Sequence, residues 1–250
     1  MVTFDQIYRF LDERFPRSLS SDWDNDGIML APASPEVKRV LISLDVTASA
    51  AEYAEENGFN LIISHHPLIF KPLKSVQSPK LLSLIRGGIG VMSFHTRLDA
   101  GSGGVNDTLA SLLELNLVTG FGPTGEAPAG RIGMLPAPMT VAEFTDELTG
   151  LLGCTAIEAA VCGTRIERLA VLGGDGKDYY EAALAAGADA YLTGSMSYNS
   201  LLDASEGGMS VFAAGHYQTE QPVCDSLAEL LNDAFCLDIE VFECNPILTY

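Results

Sequence analysis

The sequence predicts an α/β protein made of two similar βαβ-containing lobes related by pseudo-twofold symmetry, one over residues 1–120 and one over 121–250. Three observations lead there. Short apolar runs of strand length alternate with amphipathic segments of helix length, the order that gives parallel strands joined by helical crossovers. That order recurs 129 positions further on, where Arg39-Val40 meets Arg168-Leu169, Gly58 meets Gly187 and Ser64 meets Thr193. The next strands match at a spacing of 121, which sets Val91 against Phe212 and His95-x-x-x-Asp99 against His216-x-x-x-Glu220. An internal duplication of this kind puts both His/acid segments at one shared interface, with a metal centre expected between the lobes.

The elements follow in order. Phe4, Ile7, Tyr8 and Leu11 stand at helical spacing, and Pro16 stops that helix. Asp22–Gly27 is a polar turn holding Trp23, which serves as a packing anchor or as a ligand platform. Val40–Leu44 is a strand, Ala48–Glu56 a helix ended by Gly58, and Asn60–Ile63 a second strand running into His65-His66-Pro67. A helix near Lys80–Arg86 and a strand at Ile89–Phe94 lead to His95. Residues 120–138, rich in Gly and Pro, read as the connection between halves. Val141–Leu152 is a helix opened by Thr140. In the second half Arg168–Gly173 is a strand, Tyr179–Ala186 a helix and Gly187–Thr193 a strand. Gly173-Gly-Asp-Gly176 lacks the Lys-Ser/Thr of a nucleotide-binding P-loop, so it reads as a tight strand-to-helix turn.

Composition excludes several classes. With 14 Lys+Arg against 33 Asp+Glu, the net charge of −19 repels phosphate backbones and anionic lipid. Neither nucleic acid nor membrane is an expected partner. No apolar run approaches the ~18 residues of a membrane span, and the charged start is unlike a signal peptide. Five scattered cysteines without a Cys-x-x-Cys pair suit a reducing cytoplasm.

All four histidines fall in three segments, each at the C-terminal end of an expected strand, where open α/β sheets place their ligands. In a helix, residues i and i+4 share a face, so His216 and Glu220 can reach a common metal, and His95 and Asp99 have the same spacing. Adjacent His65 and His66 would point to opposite faces of a strand. Only past the strand end, where Pro67 breaks the ladder, could both approach one centre, and two ions suit them better than one. A lone His-x-x-x-Glu is commonly a solvated helix face, and His-His-Pro is commonly a turn with one buried imidazole. The combination is what points to metal. Imidazole and carboxylate without thiolate suit Zn, Fe(II) or Mn(II).

Taken together, Trp23-Asp-Asn-Asp-Gly27, Ser64-His-His-Pro-Leu-Ile-Phe70, His95-Thr-Arg-Leu-Asp99, Thr193-Gly194 and Gly215-His-Tyr-Gln-Thr-Glu220 resemble the NGG-interacting-factor-like family of dinuclear-metal proteins. Its members carry the name GTP cyclohydrolase I type 2 homologue. The resemblance runs in order from Phe4 to about Pro246. It implies two similar α/β lobes, two divalent metal ions per chain and a toroidal homohexamer. Position by position it implies His65, His66, Asp99, His216 and Glu220 as metal ligands, with Glu220 bridging. His95 would stand beside the metals without ligating. Arg97, Ser195 and Asn199 depart from the family pattern at positions outside the ligand set. The 250-residue length corresponds to the short form, which lacks an inserted lid domain.

Two divalent ions, two carboxylates and a bridging hydroxide leave a centre near +1 inside a protein of −19, a well for a small anionic molecule. The expected function is metal-dependent hydrolysis of such a molecule. For GTP this means opening of the guanine imidazole ring with release of formate, His95 moving the proton and Arg97 contacting a phosphate. Two other functions share the same metals: a nucleotide or sugar phosphoesterase, and a metal-binding scaffold or delivery protein without turnover.

Overall fold

Strands Arg39–Ser43, Leu61–Ser64 and Gly90–Ser93 lie side by side in parallel, each joined to the next by a helix, Ala48–Glu56 and then Pro79–Gly87. The structure, a computed structural model, describes residues 1–124 and 127–247. Strands covered on both faces must be apolar throughout rather than alternating. Accordingly Val40, Leu41, Ile42, Leu61, Ile62 and Ile63 are all fully buried. On one face Leu41, Ile62 and Val91 pack with Ala51, Ala54, Phe59 and Leu84 of the crossover segments. The first helix, Phe4–Arg14, opens with a reciprocal capping box between Thr3 and Gln6 and buries Phe4, Ile7 and Leu11.

The second compact unit repeats this core. Strands Arg165–Asp175, Ala190–Ser195 and Ser210–Ala213 are parallel and joined by helices Tyr180–Ala185 and Tyr198–Glu206. Alternate residues feed opposite faces: Leu169, Val171, Leu192 and Phe212 pack one way with Phe144 and Leu148, and Ala170, Leu172, Tyr191 and Val211 the other. Helix Val141–Leu152 opens with a capping box between Thr140 and Glu143.

The chain divides into two compact units. The first comprises Met1–Ser102 and Val223–Pro246, and the second is built on Gly103–Pro222. The chain's late segments return to the first unit because strand Asp238–Val241 pairs in parallel with Arg39–Ser43, extending that sheet at its edge. Residues 248–250 of the expected second lobe lie outside the described residues.

The stretch 120–138 is not a connection. Strands Asn116–Thr124 and Ala127–Thr140 form an antiparallel pair, and the second of them also pairs with Arg165–Asp175. Its glycines and prolines have positional reasons. Pro123 and Pro128 face each other beyond the part of the pair that meets Arg165–Asp175. Pro136 and Pro138 fall where that ladder slips between Met134 and Met139. A Cβ on Gly130 would stand 2.4 Å from the Phe121 ring, so only glycine admits the ring there. Residues 125–126 of this stretch lie outside the described residues.

The duplication is visible in register. Val40 faces Leu61 and Ser43 faces Ser64; 129 positions later Leu169 faces Ala190 and Leu172 faces Thr193. For the third strand the expected spacing of 121 is corrected to 120, since Gly90 faces Leu61 as Ser210 faces Ala190. The histidines keep a spacing of 121, so the second copy holds one extra residue between strand and histidine. That residue is Gly215, in a left-handed conformation at φ +101°.

Candidate metal-binding site

In the first unit, His65, His66 and His95 follow the ends of two adjacent parallel strands. Their available ligand atoms lie within 4.8 Å of one another. The strand ladder stops at Ser64, whose hydroxyl donates to the His66 carbonyl, so the alternation that would part neighbouring rings is already broken. The two rings stand 4.9 Å apart, centre to centre.

Each of the three imidazoles presents Nδ1 to an oxygen. His65, wholly buried, has the Phe94 carbonyl at 3.0 Å. His66 has Asp45 Oδ1 at 2.9 Å, and His95 has Asp24 Oδ1 at 2.8 Å. Carbonyls and ionised carboxylates only accept, so Nδ1 carries the proton and the neutral ring's lone pair sits on Nε2. Histidines that hold metals through Nε2 are typically oriented in this way. The His65 Nε2 atom stands 3.6 Å from Asp99 Oδ1, so two ligand-type atoms face each other there.

Asp24 is held in its ionised form. Burial pushes its carboxyl up, but the His95 ring together with the Thr96 hydroxyl and amide outweigh that and lower it to about 2. It accepts from Thr96 N at 3.0 Å and Thr96 Oγ1 at 2.7 Å as well as from His95. Its neighbour Asp26 meets Arg17 at 3.0 Å and Arg97 Nε at 3.2 Å. The Trp23–Gly27 turn thus sends its first buried carboxylate to His95 and its second to Arg97. Sequence reasoning missed both roles, and Asp45 with them. The sequence shows only the Asp24-x-Asp26 spacing; the burial of both acids belongs to the fold.

Arg97, expected to contact a phosphate, is engaged by groups of the protein itself. Its side chain is fully buried: Nη1 donates to Asp12 Oδ1 at 2.6 Å and to the Phe15 carbonyl at 3.1 Å. Its guanidinium lies 4.2 Å from the centre of the Phe94 ring. It fastens the first helix and the Trp23–Gly27 turn beneath His95.

In the second unit, His216 and Glu220 lie on one face of a single helical turn, His216–Glu220, with Nε2 3.0 Å from Glu220 Oε2. Glu220 is buried and His216 half-exposed. Gly173 and Gly174 belong to strand Arg165–Asp175 rather than to a strand-to-helix turn, and they make room for this pair. A Cβ on Gly174, which has φ +70°, would stand 2.2 Å from Glu220 Oε1 and 3.4 Å from the His216 ring. Thr219 ties the turn to that strand, accepting from Gly174 N at 3.1 Å and donating to the Gly215 carbonyl at 2.9 Å. His95 and His216 are therefore not equivalent in position: His95 caps its helix, and His216 is the first residue inside its own.

Parallel strands whose C-terminal ends carry imidazoles and carboxylates, each imidazole of the first unit steadied through Nδ1, define an α/β protein with donor sets suited to divalent metal. The Duf34/NIF3 (NGG1p interacting factor 3) pattern matches residues 2–246, and the chain belongs to this family. A Clostridium perfringens protein named GTP cyclohydrolase 1 type 2 homolog is 30% identical over 248 residues, covering 96% of this chain and 95% of that protein. A NIF3 homolog from Schizosaccharomyces pombe is 32% identical over 236 residues, covering 86% and 84%. The crystal structure of a Staphylococcus aureus hypothetical protein matches with a TM-score of 0.91 at 25% identity, covering 100% of this chain and 99% of that one. Among the described residues, no helix is long and apolar enough to cross a membrane.

Proposed function

We propose that this chain is a dinuclear, divalent-metal-dependent hydrolase of a small anionic substrate, acting on GTP to open the guanine imidazole ring and release formate. The observation that carries the reading is the histidine cluster of the first unit: His65 and His66 with Nδ1 engaged as candidate donors, and His95 beside them as the proton carrier, their ligand-type atoms within 4.8 Å of one another. The relatives named GTP cyclohydrolase 1 type 2 homolog support the choice of reaction. His65, His66 and Asp99 of the first unit and His216 and Glu220 of the second would hold the ions. Bound divalent ions would supply activated water at neutral pH and polarise a substrate oxygen.

The remaining chemistry belongs to the chain. His95, held by Asp24, would take a proton at Nε2 from the attacking water and pass it to the ring nitrogen as the bond from that nitrogen to C8 breaks. Asp24 stays ionised and fixes the imidazole so that Nε2 faces the reacting atoms. The Phe94 carbonyl and Asp45 do the same for His65 and His66.

The deciding experiment is elemental analysis per chain before exposure to chelator, followed by incubation with GTP. Two equivalents of Zn, Fe or Mn with formate release are expected. Release of phosphate instead would make the protein a phosphoesterase, and bound metal without turnover would make it a metal-holding scaffold. Metal content that stays near zero after Zn, Mn and Fe are supplied would overturn the reading. Light scattering is expected to give six chain masses for the assembly.

A further inference from the structure

Trp23 and Phe70 keep large aromatic surfaces in water, at 65% and 46% exposure, although each stands beside the His95 ring. The Trp23–Phe70 centres are 6.0 Å apart, and the two rings lie 6.1 and 6.3 Å from His95, all edge to face. The loops that carry them are tied together, since the Asn25 amide donates to the Ile69 carbonyl. Two exposed aromatics in a fixed geometry against a histidine of the donor cluster have more to offer than packing.

Charge along the segment that carries Phe70 is unlike the rest of the chain, whereas Trp23 lies between Asp22 and Asp24. The segment that carries Phe70, from Asn57 to Leu98, has no Asp or Glu but holds Lys71, Lys74, Lys80 and Arg86, in a protein of net charge −19; Arg97, in the same stretch, is buried against Asp12 and Asp26. Lys71 and Lys74 are exposed and follow Phe70 directly. Exposed lysines following one of two exposed rings favour an anion that carries a flat ring.

We propose that Trp23 and Phe70 form a stacking platform for the planar ring of an anionic, nucleotide-like substrate, next to the His65–His66–His95 cluster. This rests on the hydrolase reading and adds to it the element of the substrate that is recognised apart from metal. A second protein surface is the competing occupant, and the test below separates the two.

Trp23 is the only tryptophan in the chain, so tryptophan emission excited at the red edge, where the tyrosines do not absorb, reports on the platform. The full-length protein as purified is titrated with guanosine 5′-monophosphate and, separately, with ribose 5-phosphate, by fluorescence and calorimetry. The nucleotide is expected to quench Trp23 saturably and to bind about tenfold tighter than the ring-less phosphate. Phe70→Ala should weaken the nucleotide about tenfold and leave ribose 5-phosphate within about twofold. Trp23→Phe should retain nucleotide affinity that Trp23→Ala loses, an independent arm should one variant fail to fold. Equal binding of the two ligands with unchanged Trp23 emission would overturn the platform and leave the hydrolase reading standing. Binding of neither ligand would overturn both. A blue shift of Trp23 with protein concentration alone would assign the surface to a second copy and overturn the platform as well.

Discussion

Arg97 shows how misleading a charged residue can be when it sits two positions from a histidine of the site. A guanidinium in a sequence of net charge −19 reads as an anion contact, yet Asp12 and Asp26 enclose it and Phe94 covers its face. Removing one partner of such a buried group leaves the opposite charges uncompensated, at a cost of about 3–5 kcal/mol. Arg97→Ala is therefore expected to lower the urea midpoint severely. Arg97→Lys should not rescue it, because an ammonium lacks the planar fork that meets two carboxylates at once. Asp24 carries a pH signature of its own. Its carboxyl is held at about 2 in the folded protein, below the ~3.9 of an unfolded chain. The stability it provides is full above pH ~4 and is lost as pH falls towards 2. Asp24→Asn should show less of that acid loss than the parent in thermal melts between pH 4.5 and 2, and lower stability at neutral pH. The ligand-type residues themselves were legible because histidine is scarce and clustered here. Their supporting acids were not, since nothing in one sequence distinguishes a buried aspartate from the many solvated ones.

At the scale of elements, the parallel cores were legible because strands buried on both faces spell uninterrupted apolar runs such as Val40–Ile42 and Leu61–Ile63. The Asn116–Thr140 strand pair was not, because its prolines and glycines signal a loop to any local reading. Only the ladder slip and the close approach of Phe121 explain why they are tolerated. Nor does the match of His95-x-x-x-Asp99 with His216-x-x-x-Glu220 survive as an equivalence. Gly215 is inserted before the second histidine, so His216 enters its helix while His95 caps one. The consequence is a difference in role. His216→Ala should lower metal content, whereas His95→Ala should keep the metal and lose turnover, as elemental analysis and formate release will read. Gly174→Ala tests the same turn from behind. Its Cβ would displace the Glu220 carboxylate, so metal content should fall with little loss of secondary structure by circular dichroism.

For the whole molecule, the proposal joins donors that the chain keeps in separate compact units, His65 in one and His216 in the other, 151 positions apart. A ligand that binds only the folded state stabilises it by mass action, by about 2.7 kcal/mol at a hundredfold excess over Kd. In a chain of this size that raises the melting temperature by roughly 2–4 °C per kcal/mol. Chelation should accordingly lower the melting temperature of the parent by several degrees, and added Zn or Mn should restore it. The single variants His65→Ala and His216→Ala decide whether one ligand set is involved. If the two units contribute to one set, each variant should lose most of the chelator-sensitive stabilisation, and the double variant should lose little more. Additive losses would instead mean two independent sites, each serving its own unit, and would overturn the joint assignment while leaving each donor pair intact.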